Sequence, residues 1–417
     1  MTPLHICMIS YHTCPLASEE GKETGGMNVY VLELAKQLSR LGHFVDVYTR
    51  SSAPENPPIV QVTERFRVMH IVAGPQASVP KKSLIQYIPE FIENVNVFCK
   101  TAGAEYDIMH CHYYMSGLVG IELQKSLKCP WVKMPMISTF HTLALMKNLV
   151  ARGELETEDS SRVDAELEIV KHSDFIVAPS ESDASYLQYL YEADTSKVIV
   201  IPPGVDTKVF RPLPKKKARE FVGAQADEKI VMFVGRIEPL KGIDMLMYAI
   251  KVVNQDEPNL KLKLYVVGGD ISQDVSMWSA ELKKLEKLRK LLRIPDVVRF
   301  VGQKPQHELV YYYNAADIVV MPSHYESFGM TALEAMTCGV PVITTNVAGI
   351  SSLIDERKKA LLTSVNNPLL LASQIENLLT NPRTHAQISA ELKKKVNTLE
   401  WKNVAEQIVE VYRSCLK

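Results

Sequence analysis

Residues 6–9 read Ile-Cys-Met-Ile, residues 10–26 form a polar stretch closing on Gly25-Gly26, and Val31, Leu34, Ala35, Leu38 and Leu41 follow. The order of these three pieces decides the fold class. An unbroken apolar run of this length marks a strand buried on both faces. The three-four spacing after it is one face of a helix, with Gly42 as its stop. A second strand is predicted at 44–49. Strand, helix and strand in succession imply a right-handed crossover and parallel pairing. The same alternation predicts strands at 66–72, 107–111, 136–140, 175–178 and 198–201.

Pro202-Pro203-Gly204, Pro212, Pro214 and Lys215-Lys216-Lys217 interrupt the alternation. Prolines and solvated charge resist burial, so 202–217 reads as a linker between domains. Strands then resume at 230–234, 263–267, 297–301, 318–321 and 342–345, and in each half one strand runs into Pro-Ser before a helix (176–180 and 318–323). The expected fold is α/β, with two doubly wound Rossmann-like domains. Val404, Ile408, Val411 and Cys415 put a last helix at 401–417. Because the second sheet is complete by then, this helix is expected to cross back to the first domain. The predicted boundaries are 1–203, 204–398 and 399–417.

Composition limits the function classes. The chain has 417 residues, 46% of them apolar, which is too long for one ordinary domain and enough for more than one core. Its 47 Lys and Arg against 48 Asp and Glu leave a net charge of -1, so no global field favours nucleic acid or an anionic membrane. Cysteines 7, 14, 99, 111, 129, 338 and 415 contain no Cys-x-x-Cys, which fits reduced thiols in a cytoplasmic protein. Residues 1–10 lack the pattern of a signal peptide, and no apolar run is long enough for a transmembrane segment. The basic amphipathic stretch 282–291 allows a membrane-surface contact, although leucines packing on the second sheet explain it more simply.

Several signatures are missing: Gly-x-Gly-x-x-Gly after the first strand, Gly-x-x-x-x-Gly-Lys-Ser/Thr, and Gly-x-Ser-x-Gly. These absences disfavour a nicotinamide dehydrogenase, a P-loop phosphotransferase and an α/β-hydrolase. His110-Cys111-His112 lacks an evident third ligand and reads as polar residues at a strand end, so no metal site is expected. The segment Gly235-Arg236-Ile237-Glu238-Pro239-Leu240-Lys241-Gly242 follows a strand and sets two cations on one turn. A diphosphate needs such a pair, the planar fork of Arg and the point charge of Lys; a solvated loop whose cations pair with Glu238 is the alternative. Glu326-Ser327-Phe328-Gly329-Met330 leads into a helix carrying Glu334, where free N–H groups and glycine backbone invite a ligand. The two glutamates would accept from sugar hydroxyls, or else serve as a cap and an ion-pair partner.

Gly235-Arg236 through Lys241-Gly242, and Glu326 with Glu334, resemble in order and spacing the motifs of the family 4 retaining glycosyltransferases. The resemblance covers essentially the whole chain. It implies the GT-B fold, two Rossmann-like domains facing across a cleft, with the acceptor on the first and a nucleotide sugar on the second. It further implies that Arg236 and Lys241 hold the donor's diphosphate and Glu334 its ribose. Glu326 with the backbone of Ser327, Phe328, Gly329 and Met330 would address the donor sugar, and Arg299 would lie by the nucleobase. Gly26 opens a helix toward a phosphate or sugar oxygen, and His141, ending a strand, would lie against the anomeric carbon; a hydrogen-bonded residue in a buried turn is its alternative. His141, Arg236, Lys241 and Glu326 thus form the expected catalytic set.

Within that family, the strings Gly-Gly-Met-Asn-Val-Tyr (25–30), His-Cys-His-Tyr-Tyr-Met-Ser-Gly (110–117) and Phe-His-Thr-Leu-Ala-Leu-Met-Lys-Asn (140–148) are similar to the inositol-phosphate N-acetylglucosaminyltransferases of mycothiol synthesis. By that likeness Asn28, Lys81, Tyr113, Thr142 and Arg162 surround a phosphorylated acceptor. Lys82 is the alternative to Lys81, and Arg162 has an alternative as an exposed ion pair with Glu158 or Glu166. The implied reaction moves a hexosyl group, glucose or N-acetylglucosamine, from a nucleoside diphosphate, taken as UDP, with no obligatory cofactor. Transfer to fructose 6-phosphate, to a lipid or polysaccharide, and an inactive nucleotide-sugar-binding module are the competing readings. A homodimer is compatible with the sequence, which holds nothing that decides it.

Overall fold

The first apolar run becomes β1 (His5–Ile9), which pairs in parallel with β2 (Phe44–Arg50) on one side and β5 (Ile108–His112) on the other. The computed structural model describes residues 2–17, 25–126, 131, 134–153, 156–272, 274–346, 349–350, 361–396 and 398–417. Its chain falls into two units: residues up to Gly204 with Trp401–Lys417, and Val205–Glu400.

The first unit adds β3 (Ile59–Thr63), β4 (Phe66–Ile71), β6 (Met136–Thr139), β7 (Phe175–Ala178) and β8 (Val198–Val200), in the order β3-β4-β2-β1-β5-β6-β7-β8. The order reverses direction between β1 and β5, and there open α/β sheets bind ligands at the carboxyl ends of their strands. β3 runs antiparallel to β4 and escaped the sequence reading. It is a half-exposed edge strand behind Pro57 and Pro58, so it has no apolar run to betray it. The helix Gly26–Arg40 buries Tyr30, Val31, Leu34, Ala35 and Leu38, and the chain turns out of it through Gly42 at φ 95°. The helix Trp401–Cys415 packs on that helix, burying Trp401, Val404, Ile408, Val411 and Tyr412. Gly204 makes the approach possible, since a Cβ there would stand 2.7 Å from the Trp401 backbone.

The second unit is a parallel sheet of β9 (Lys229–Val234), β10 (Leu262–Val267), β11 (Val298–Gly302), β12 (Ile318–Met321), β13 (Val342–Thr345) and β14 (Leu362–Thr363). The order β11-β10-β9-β12-β13-β14 places its reversal between β9 and β12. The predicted linker is corrected at its end, because Lys215, Lys216 and Lys217 open the helix Lys215–Val222. The three lysines stay exposed as expected, but Lys215 reaches Asp317 at 2.6 Å and buried Arg219 reaches the same carboxylate at 3.0 Å, which docks the helix they open. The stretch considered for membrane contact forms the helix Ala280–Leu291, with Leu282 and Leu285 in the core. Among the described residues no helix is long and apolar enough to cross a membrane.

Candidate active site

Each unit brings some of its predicted residues together near the carboxyl ends of its strands. In the second unit the ends of β9, β10 and β11 meet as bare backbone. Gly235 N–H donates to Val267 O (3.0 Å) and Gly268 N–H to Gly302 O (2.9 Å), while a Cβ on Gly268 would come within 1.9 Å of Gly235 O. The sequence reading passed over Gly268 and Gly269, although a Gly-Gly pair directly behind a strand was a visible signal.

The turn Pro239–Lys241 leads to Gly242, at φ 64° with Pro322 O only 2.2 Å from where a Cβ would be. Only glycine fits, and the fit presses the β9 loop against the β12 loop. Lys241 Nζ consequently lies 2.5 Å from Glu326 Oε2, with both side chains largely buried. Arg236 pairs instead with Glu238 (2.8 Å) near the surface, the pairing weighed for a solvated loop. Ser327 and Phe328 are buried, and Gly329 (φ 99°) ends the loop before the helix Met330–Thr337. Among the described residues no cation pairs with Glu334; it accepts from the Tyr313 hydroxyl (2.7 Å) and from Gln306, and burial pushes its pKa up to about 7.

Arg299 is not brought to this cluster. It stands inside β11 instead of beyond its end, so its side chain leaves the sheet sideways. It lies over the Tyr265 ring at 5.2 Å and lines a separate hollow of about 420 Å³ with Trp278, Arg289 and Phe300.

In the first unit Asn28 is consumed internally. Its Nδ2 donates to Thr13 Oγ1 and Cys14 O (2.6 Å each) and its Oδ1 accepts from Gly25 N–H (3.2 Å), which staples the loop ahead of Gly26. Tyr113 and His141 follow β5 and β6 with φ of 78° and 62°. Such conformations cost a non-glycine residue roughly 1–3 kcal/mol, and their surroundings must hold them. Lys81 Nζ lies over the Tyr113 ring at 4.1 Å, and the Arg162 guanidinium over the same ring at 4.9 Å. Arg162 Nη2 donates to Thr142 O (3.0 Å) and Oγ1 (3.2 Å). Lys81, Tyr113, Thr142 and Arg162 therefore share one place, whereas Lys82 pairs outward with exposed Asp159.

The alternative reading of Arg162 is right about its partners and wrong about its exposure. Its side chain is 3% exposed and holds both Glu158 (2.8 Å) and Glu166 (2.9 Å), because its helix face packs under Tyr113 and Tyr114. Glu166 was missed as an organiser: completely buried, it also accepts from Tyr191 OH (2.6 Å) and Ala144 N–H (2.9 Å). The spacing to Arg162 was visible, but the burial that gives the pair its importance was not.

His141 Nε2 lies 3.2 Å from His112 Nδ1, and burial pushes its pKa down to about 3. His110, also pushed down to about 3 by burial and then by His141, bonds Tyr412 OH (2.7 Å) and Thr139 Oγ1 (2.9 Å). These histidines are therefore neutral. Among the described residues no group of three or more His, Cys, Asp or Glu is placed to hold a metal ion.

Two doubly wound units, each with a polar cluster at its reversal point, follow the GT-B plan of glycosyltransferases. Residues 24–209 match the family described as Glycosyltransferase Family 4 and residues 214–395 the one described as Glycosyl transferases group 1. The chain is 35% identical to a D-inositol 3-phosphate glycosyltransferase of Kineococcus radiotolerans, covering 99% of this chain and 95% of that protein. The same identity and coverage hold for the protein so named in Thermobispora bispora. Among solved structures, sucrose-phosphate synthase from Thermosynechococcus elongatus superimposes with a TM-score of 0.88 at 30% identity, covering 99% of each chain. HepE of Anabaena in complex with UDP and glucose gives 0.75 at 17% identity over 99% and 100% of the two chains, a likeness of fold alone. The chain belongs to the family 4 glycosyltransferases.

Proposed function

We propose that the protein moves a hexosyl group, N-acetylglucosamine or glucose, from UDP to a hydroxyl of a phosphorylated small acceptor such as inositol phosphate, with retention at the anomeric carbon. The observation that carries this reading is the meeting of Lys81, Tyr113, Thr142 and Arg162 at the first unit's reversal point. Two cations and two hydroxyls suit a phosphomonoester. The names of the 35%-identical relatives agree with it. The donor would lie at the second reversal point, with its diphosphate on Arg236 and Lys241, its ribose on Glu334, and its sugar by Glu326 and the backbone of Ser327 to Met330.

The step is a same-face substitution. The acceptor oxygen bonds to the anomeric carbon as the bond to the diphosphate oxygen breaks, and the hydroxyl proton passes to a diphosphate oxygen. Charge grows on the leaving group, so Arg236 and Lys241 supply the main stabilisation. No protein nucleophile or base is required, and neutral His141 would sit against the oxocarbenium-like carbon. No divalent ion takes an obligatory part: turnover is expected to survive chelator, and complete loss restored by Mg²⁺ or Mn²⁺ would refute this.

The deciding experiment offers UDP-glucose and UDP-N-acetylglucosamine to inositol phosphate, fructose 6-phosphate and their unphosphorylated forms, following released UDP and product configuration. Transfer only to phosphorylated polyols supports the reading. Transfer to fructose 6-phosphate would support a second one, favoured by the 30% identity to sucrose-phosphate synthase. An inverted product would exclude retention.

A further inference from the structure

Arg162 meets three partners, two through hydrogen bonds and Glu158 through an ion pair without hydrogen-bond geometry at Nη1. Nε is held by Glu166, which is completely buried and also bonded to Tyr191 and Ala144. Nη2 donates to Thr142 O and Oγ1, and Thr142 is half-buried. Nη1 is held by Glu158, whose side chain is 20% exposed and whose Oε1 also takes the Lys147 ammonium. Glu158 is tied to its place by its main chain: its N–H donates to Asn148 Oδ1 (2.7 Å) and its O accepts from Asn148 Nδ2 (3.1 Å). Its carboxylate can therefore swing out while the loop stays put. Burial would raise its pKa, but Arg162 and Lys147 outweigh burial and hold it at about 2, so it is an anion at every working pH.

Charge counting shows what this anion stands in for. Lys81, Lys147 and Arg162 bring three positive charges around Tyr113, while Glu158 and Glu166 bring two negative ones. If Glu158 turned to solvent and a phosphate dianion entered, the count would reach zero. A phosphate also carries more charge and more acceptor oxygens than the carboxylate it replaces.

Building on the proposal that the acceptor is phosphorylated, we propose that Lys147 is a further phosphate ligand of this pocket. Glu158 is the internal anion that fills the place until the acceptor displaces it. Lys147 sits in the helix Ala144–Val150, which Glu166 anchors through Ala144 N–H, so one buried carboxylate positions both cations.

The test uses the full chain with inorganic phosphate as probe, its dissociation constant measured by calorimetry, alongside KM and kcat for the phosphorylated acceptor. Glu158→Gln, which keeps the shape and removes the competing charge, should tighten phosphate and lower the acceptor KM by roughly tenfold. Lys147→Met should weaken both by about the same factor, with Lys147→Arg restoring most of it. Phosphate that binds the wild type but is no tighter in Glu158→Gln overturns the displacement. An unchanged Lys147→Met overturns the lysine's role, and it carries the test should Glu158→Gln fail to fold. If the wild type neither binds phosphate nor prefers a phosphorylated acceptor, the proposed acceptor class falls and this inference with it.

Discussion

At the second unit's reversal point Arg236 and Glu238 are 48% and 39% exposed, while at the first unit's Arg162 and Glu166 are 3% and 0% exposed. Both are cations offered to phosphate oxygens in the proposed reaction, yet they are held by opposite means. An exposed pair contributes about 0–1 kcal/mol and opens readily, so Arg236 can leave Glu238 for a ligand at little cost. A buried pair has lost its water, and breaking it strands a charge, so Arg162 is set before any ligand arrives. Lys241 with Glu326, 14% and 22% exposed, lies between these extremes. The second unit thus recruits its charges, whereas the first fixes Arg162 on buried Glu166 and has only the half-sheltered Glu158 to exchange.

The largest expected effect tests the intermediate case. In the proposed reaction Lys241→Ala removes a charge-assisted contact to the leaving diphosphate, and it leaves Glu326 without its cation. Such contacts are worth roughly 1.5–3 kcal/mol, and the upper end, about a hundredfold in turnover, is expected. Near-wild-type turnover would remove Lys241 from the step.

Glu334 contrasts with Glu166: one buried carboxylate has hydroxyl and amide partners, the other a guanidinium. The folded-state pKa of Glu334 is about 7 against an ordinary 4.5, so the folded form binds its proton more tightly. Stability from this source is complete below pH 4.5 and lost as pH rises to about 7, by up to ~3 kcal/mol. Glu334→Gln should therefore melt higher than the wild type at pH 8 and at the same temperature at pH 4.5. Equal melting temperatures at pH 8 would mean that the site is wetter than its geometry indicates. Buried His110 and half-buried His141 of the first unit act with the opposite sign. Their depressed pKa values make stability complete above pH 6.5 and lost as pH falls toward 3.

Arg236→Ala comes next, at about tenfold in turnover, because its existing pair is weak and water can partly replace it. Its deficit should be smaller still in high salt, which screens an exposed cation's contribution even in the wild type. A loss as large as that of Lys241→Ala would erase the distinction between recruited and fixed charge.

The same contrast explains what was legible in the sequence. Residues 235–242 and 326–334 are two short loops whose chemistry is local, so a diphosphate and sugar site was visible there beside the ion-pair alternative, and the family likeness chose between them. The alternation of apolar runs likewise exposed both sheets, because parallel strands are buried on both faces. Asn28, Lys81, Tyr113, Thr142 and Arg162 are scattered over 135 positions, and only the family likeness brought them together. The hub that organises them, Glu166, looked like any carboxylate four residues from an arginine. Lys215–Lys217 are solvated as read, but the helix they open was missed, since the carboxylate that docks it, Asp317, lies 102 residues beyond Lys215. Arg299 carried over as a motif position, but its place within β11 sends the side chain to Tyr265.

The smallest expected effect is none at all, and it bears on chemistry. Histidine is the side chain that ordinarily changes charge between pH 5 and 8. His141 is pushed down to about 3, and His112, beside it, well below its usual range, both first by burial. With labelled histidine, the ring signals of His110, His112 and His141 should stay fixed from pH 8 to pH 5 while those of exposed histidines move. A shift of the His141 signal near pH 6.5 would mean that an imidazolium forms in the working range. That species would repel the positive charge gathering on the anomeric carbon during departure of the diphosphate. In the proposed reaction a neutral ring beside that carbon would offer a lone pair and a dipole without opposing the step, so the absence of a titration is what the proposed same-face mechanism requires of this residue.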